Sequence, residues 1–202
     1  MKKIDFKKEL KDLYSASANA TTIVYVPEMN FLMIDGEGNP NTSQAFKDAV
    51  EALYSVSYSL KFMIKKDKGI DYGVMPLEGL WWTNDRAEFS MDNKGLWKWT
   101  VMIMQPQWVT KELVDKALAK VKEKKNPAAL HKIRFDAFAE GLSAQIMHTG
   151  PFSAEGPTIE KLHSFIKERG HVLREKHHEI YLSDPHRTAV EKLKTIIRHA
   201  IN

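Results

Sequence analysis

The chain has 202 residues, 43% of them apolar, 30 basic side chains against 26 acidic, and no cysteine. That is enough chain and apolar surface for one core or two small ones. The missing cysteine excludes disulfides, thiolate nucleophiles and zinc–cysteine centres, so any chemistry must come from oxygen, imidazole or water. The net charge of +4 is spread over interleaved signs rather than a basic block, which speaks against direct nucleic-acid binding.

The opening "MKKIDFKKELKDLY" alternates basic and acidic residues and lacks the apolar segment of a signal peptide. No later run of about 18 apolar residues is long enough for a membrane span, so a soluble cytoplasmic protein is expected. "TTIVYVPEMNFLMIDGEGNPN" predicts one or two strands running into a Gly-Asn-Pro turn; its glycines match no phosphate-binding fingerprint. From Ser43 to about Lys65, Phe46, Ala49, Val50, Leu53, Val56, Leu60, Met63 and Ile64 recur at three and four, predicting a helix that Thr42 or Ser43 can cap. "IDYGVMPLEGLWW" and "GLWKWTVMIMQPQW" predict two strands joined by the polar, hairpin-like "TNDRAEFSMDNKG".

A connector helix is predicted over about 110–125, opening at Thr110, with Leu113, Val114, Ala117, Leu118 and Val121 on one face and a stop at Asn126-Pro127. Its "KVKEKK" end is a solvated, dipole-compatible basic face. "IRFDAFAEGLSAQIMHTGPF" is strand material broken at Gly141. Gly156-Pro157 starts a helix with Ile159, Leu162, Phe165 and Ile166 inward, closed by Gly170. "HHEIYLSDPHR" follows as a strand. The capping-box spacing of Thr188 and Glu191, with Leu193, Ile196 and Ile197 behind it, predicts a C-terminal helix.

"FLMIDGEGNPNTSQAFKDAVEAL" and "SAQIMHTGPFSAEGPTIEKLHSF" share a strand, a glycine turn and a helix, offset by roughly 110 residues. The expected fold is therefore α+β. Two strand-helix-strand-strand units, over about 22–108 and 131–202, pair across a pseudo-twofold into one curved antiparallel sheet. Helices lie on one side and a ligand groove on the other.

Those segments, with "GLSAQIMHTGPFSAEGPTIEKLHSFI" and "HHEIYLSDPHR" the most specific, resemble the GyrI-like small-molecule-binding family, seen also as the effector-binding domain of multidrug-sensing transcription regulators. The resemblance implies tandem units around an aromatic pocket, with a glutamate in the strand where Glu179 stands. This chain departs from those regulators in lacking a helix-turn-helix module. Its tryptophan-rich centre looks like a stand-alone subfamily associated with hydrolysing cyclopropane-bearing DNA-alkylating natural products.

On that reading Glu179 is the water-orienting base or a counter-ion, and Tyr72 or Tyr181 the donor to a developing oxyanion. Strand alternation puts Glu179 and Tyr181 on one face and Ile180 and Leu182 on the other, so the acid and phenol are expected to look away from the helix-packed core. Trp82, Trp97, Trp99, Trp108 and Phe152, with Tyr72, are the candidate aromatic cage, and Met75, Met102, Met104 and Met147 its adaptable lining. No metal is expected, because His177, His178 and Glu179 are consecutive on a strand and point to alternate faces, and no HExxH occurs. Nor is a cofactor expected. The absence of G-x-S-x-G argues against a serine hydrolase. The expected partner is a small xenobiotic, either hydrolysed or merely sequestered.

Overall fold

The structure is a computed structural model that describes residues 2–84, 93–174 and 176–202. Ser43 caps the longest helix by accepting a hydrogen bond at Oγ from the Phe46 amide (3.3 Å), and Gly69, at φ 65°, ends it in the left-handed conformation that glycine tolerates. In chain order the elements are β1 (Lys2–Ile4), α1 (Phe6–Glu9), α2 (Lys11–Tyr14), β2 (Thr22–Val26), β3 (Met29–Glu37), α3 (Gln44–Lys68), β4 (Ile70–Tyr72), β5 (Leu77–Trp82) and β6 (Lys98–Gln105). They continue as α4 (Lys111–Lys124), β7 (Arg134–Phe138), β8 (Gly141–Thr149), α5 (Gly156–Glu168), β9 (His177–Tyr181) and β10 (Lys194–Ala200).

Eight strands form one curved antiparallel sheet in the order β2-β8-β10-β9-β5-β6-β3-β7. The order is a palindrome of two units. β3, α3, β5 and β6 make one half and β8, α5, β9 and β10 the other, and β9 meets β5 at the centre. Each unit's leading strand, β2 or β7, pairs with the other unit, β2 on β8 and β7 on β3. α3 packs over β3 and β6 and carries α4 on its back, while α5 packs over β8.

The two halves bury unequal cores. Under α3, Leu32, Ile34, Val101 and Ile103 meet Ala49, Leu53, Val56 and Leu60. Under α5 a smaller, separate cluster joins Ala144, Ile146, Leu162, Ile166, Ile197 and Ile201. The opposite face of the sheet is covered in part by the N-terminal segment, whose Leu13 and Tyr14 are buried.

The structure departs from the expected elements in two places. Residues 188–200 are not a helix: a single 3-10 turn (Val190–Lys192) leads into β10. Between β8 and β9 a strand buries both faces, so Ile196 and Ile197 are equally inaccessible. That double burial with β-branched Thr195, Ile196 and Ile197 overrides a local capping pattern. The stretch 70–82 is two strands rather than one, because β4 leaves the main sheet to pair in parallel with β1. The polar connection expected over 83–95 lies mostly outside the described residues, which resume at Asn93.

Candidate active site

β9 is an interior strand. Glu179 stands between Gly79 of β5 and Ile197 of β10, and residues paired across antiparallel strands point to the same face. One step along the same ladder, His177 pairs with Trp81, onto which Phe46 of α3 stacks (5.8 Å, 28°). Glu179, His177 and Tyr181 therefore project onto the face that carries α3 and α5. The expectation that acid and phenol look away from the helices is corrected: they fill the strip between the two helices. The cause is the pairing register, which a lone strand does not reveal.

Two glycines shape this strip. A Cβ on Gly79 would lie 2.7 Å from the Trp81 indole nitrogen, and one on Gly36 would lie 2.2 Å from the Trp99 ring. Both indoles thus lie flat along the sheet, each occupying the space of a missing side chain. Trp97 leans on Trp81 (5.4 Å, 56°), with Lys94 Nζ 5.1 Å above its ring. Phe152 meets Tyr181 edge-on (5.6 Å, 82°). Phe46, Lys94, Phe152 and Tyr181 are half-buried, so the strip keeps accessible surface.

Glu179 is only 6% exposed, and both its oxygens are engaged. Tyr181 donates to Oε2 at 2.6 Å, and His177 Nε2 lies 3.0 Å from Oε1. Burial pushes this carboxyl up, but His177, Tyr181 and the charge of Lys94 outweigh it and hold Glu179 below the usual carboxylate range. Burial and the neighbouring carboxylate drive the Tyr181 phenol well above its ordinary value, which keeps it a donor.

A second acid joins the site. Glu155, in the position before the first residue of α5, is fully buried, and neither of its oxygens has a hydrogen-bond partner of normal geometry among the described residues. Burial first, and the charge of Glu179 second, push its carboxyl up to about 9. Two carboxyls this close do not both ionise; one is held neutral beside the other's charge. Thr195 also faces Glu155. Nothing in "FSAEGP" distinguishes Glu155 from an acid placed for the helix dipole, so sequence reasoning missed it; only tertiary contact pairs it with Glu179.

The other sequence-chosen residues fall in several places. Tyr181 bonds Glu179, Phe152 packs on Tyr181, and Trp97 leans on Trp81 of the same strip. Trp99 lies on the same face but is 1% exposed, wedged edge-on against Phe46 (5.2 Å, 85°). Trp82, Met102, Met104 and Met147 point to the opposite face, where Lys176 Nζ sits 3.5 Å over the Trp82 ring. Tyr72 and Trp108 pack with Phe6 of the N-terminal segment, and the buried Tyr72 hydroxyl has no hydrogen-bond partner among the described residues. Met75 is buried between β4 and β5. A concavity of about 640 Å³, bordered by Leu13, Ser17, Thr22 and Gln145, lies against β2 and the N-terminal segment, away from the carboxyl pair. Among the described residues, no group of three or more His, Asp or Glu side chains is arranged to hold a metal ion, and no helix is long and apolar enough to cross a membrane.

Comparison with known proteins adds context to this geometry. A family model described as the GyrI-like small molecule binding domain matches residues 20–200. Among solved structures, an uncharacterized conserved protein from Listeria innocua is 38% identical, with a TM-score of 0.92 over 98% of this chain and 100% of its own. Two structures from Listeria innocua described as hydrolases are similar as well. One is 37% identical (TM-score 0.89, 100% of both chains). The other is 36% identical (TM-score 0.86, 98% of this chain and 100% of its own). A search of curated proteins gave no match.

Proposed function

The chain belongs to the GyrI-like small-molecule-binding family, and from that premise we propose that it binds flat aromatic xenobiotics in the strip between α3 and α5 and detoxifies cyclopropane-bearing alkylating agents by hydrolytic ring opening. The observation that carries this reading is the buried carboxyl pair beside an aromatic strip: Glu179, bonded by His177 and Tyr181, with Glu155 next to it, Phe152 on Tyr181 and Trp97 on Trp81. The hydrolase descriptions of two relatives support the reaction class.

A strained cyclopropane conjugated to a carbonyl is already electrophilic, so the protein need only hold it and aim a water. A water between the two acids donates one hydrogen to Glu179 and the other to the carbonyl oxygen of neutral Glu155. That leaves a lone pair facing the ring carbon. Attack forms a C–O bond, breaks a ring C–C bond, and sends the electron pair to the conjugated carbonyl oxygen, while Glu179 takes the water's proton. The new oxyanion takes its proton from solvent, and Glu179 releases the water's proton to solvent, which regenerates the base. Tyr181 is already committed to Glu179, so its part is to hold the base rather than to protonate the product.

The test is mass spectrometry of a cyclopropane-bearing alkylator incubated with catalytic amounts of protein. The expected product is the substrate plus one water, formed in many-fold excess over protein. Protection that saturates at one ligand per protein, with no hydrated product, assigns instead a sequestering protein in which Glu179 is a counter-ion for cationic aromatics.

A further inference from the structure

Behind Glu179, on the side away from Tyr181, three imidazoles stand in line. His177 Nε2 lies 3.0 Å from Glu179 Oε1, its Nδ1 lies 3.0 Å from His199 Nε2, and that nitrogen lies 3.3 Å from His163 Nε2. The rings come from three elements: His177 from β9, His199 from β10 and His163 from α5. His163 packs edge-on against His199 (4.9 Å, 74°), and His177 and His199 are buried.

A carboxylate demands a donor, so His177 must carry a proton on Nε2 to serve Glu179. A neutral imidazole with that proton offers a bare Nδ1 lone pair, which must meet a donor in turn. The nitrogen facing it is Nε2 of His199. We propose that His199 is a positioning residue: by donating its Nε2–H to His177 Nδ1 it locks His177 in the Nε2–H tautomer, which holds Glu179 ionised and aimed, with His163 bracing the His199 ring from α5. The groups facing Glu179 in this arrangement are His177, Tyr181, Glu155 and Lys94. The role of the lock in catalysis rests on the hydrolytic reading above, whereas the lock itself does not.

The test has one arm that needs no activity. Nitrogen-15 spectra of the ligand-free protein are expected to show His177 as the neutral Nε2–H tautomer, with Nδ1 shifted as a hydrogen-bond acceptor. In His199→Phe that signal should move to a tautomer mixture or an imidazolium. His199→Gln, which keeps an N–H donor, should preserve the wild-type signal. In the second arm, the acid limb of the kcat/KM profile for a neutral cyclopropane substrate should move to higher pH by about one unit in His199→Phe, as expected for a carboxylate that loses a donor. KM should stay unchanged, and His199→Gln should restore the profile. Finding His177 as an imidazolium or the Nδ1–H tautomer in the wild type, or unchanged in folded His199→Phe, overturns the proposal. If His199→Phe does not fold, the wild-type and His199→Gln spectra decide. If the wild type lacks turnover, the hydrolytic reading fails, and the spectra still decide the lock.

Discussion

His177 and His178 are neighbours in β9 and end in two opposite worlds. His178 points to the opposite face, where its Nδ1 lies 3.0 Å from Glu140 and its Nε2 3.0 Å from Glu78. Glu78 also accepts from the Tyr14 hydroxyl at 2.7 Å, and Glu140 from Arg198 at 3.4 Å. Arg198 further donates to Gln145 and to the Leu13 carbonyl. Burial opposes charge on His178, but Glu140 and Glu78 overcome it and raise the imidazole to about 9. Burial opposes charge on Glu140 too, and His178 with Arg198 hold it low. Two cations there balance two anions, and the bonds tie the N-terminal segment to the sheet. On the α3/α5 face, by contrast, Glu155 is buried beside the charged Glu179 and has no hydrogen bond of normal geometry among the described residues. A satisfied network holds a fold together; a buried acid left wanting a partner is a place for a ligand or a water.

Glu179→Gln should break this comparison most sharply. It keeps the size and removes the base, so turnover should fall by about 10²–10⁴ while a neutral aromatic still binds; single-turnover kinetics with parallel binding titration reads both. Loss of neutral-ligand binding as well would assign Glu179 to packing.

On the opposite face the effect should be on stability instead. Arg198→Met leaves Glu140 with less positive charge beside it and should cost about 3–5 kcal/mol in urea unfolding, with kcat per folded molecule unchanged. A selective loss of turnover would mean that the two faces are coupled.

The aromatic strip should divide the same way. Trp99→Ala empties a fully buried site and should destabilise by about 3–5 kcal/mol. Phe152→Ala, at a half-buried position, should weaken aromatic ligand binding by about 1 kcal/mol and leave the melting temperature nearly unchanged. Equal effects of both substitutions on stability would put Phe152 in the core.

The last effect is in pH dependence, where both networks lose stability as pH rises but begin to do so at different pH. Folded Glu155 keeps its proton up to about 9, against 4.5 for an ordinary glutamate, so the folded state holds an extra proton and stability falls as pH rises through that window. Folded His178 is raised from 6.5 to about 9; its contribution is full below 6.5 and is lost as pH rises towards 9. Glu155→Gln should therefore remove the decline between 4.5 and 6.5 and make the decline from 6.5 to about 9 shallower, leaving there only the part due to His178. An unaltered profile in chemical unfolding across this range would show that Glu155 is ionised in the folded protein.

The sequence by itself determined the elements whose signals are local. Ser43, the apolar stripe of α3 and Gly69 define that helix, Gly156-Pro157 starts α5, and the duplicated strand-turn-helix pattern gives the tandem α+β fold. It also placed Glu179 and Tyr181 on a common face, because alternation along a strand is a property of the backbone. What the tertiary structure decided is everything that depends on register and on what covers a face. It made residues 194–200 a doubly buried strand despite a helical cap signal. It turned Glu179 towards the helices, sent Trp82 and Met102 to the other side, brought Glu155 to the Glu179 carboxylate, and set His199 behind His177, which bonds that carboxylate. Side-chain alternation says which residues share a face but not which face is covered, and a pairing shifted by one residue exchanges the two. That choice is made only when β9 is laid between β5 and β10.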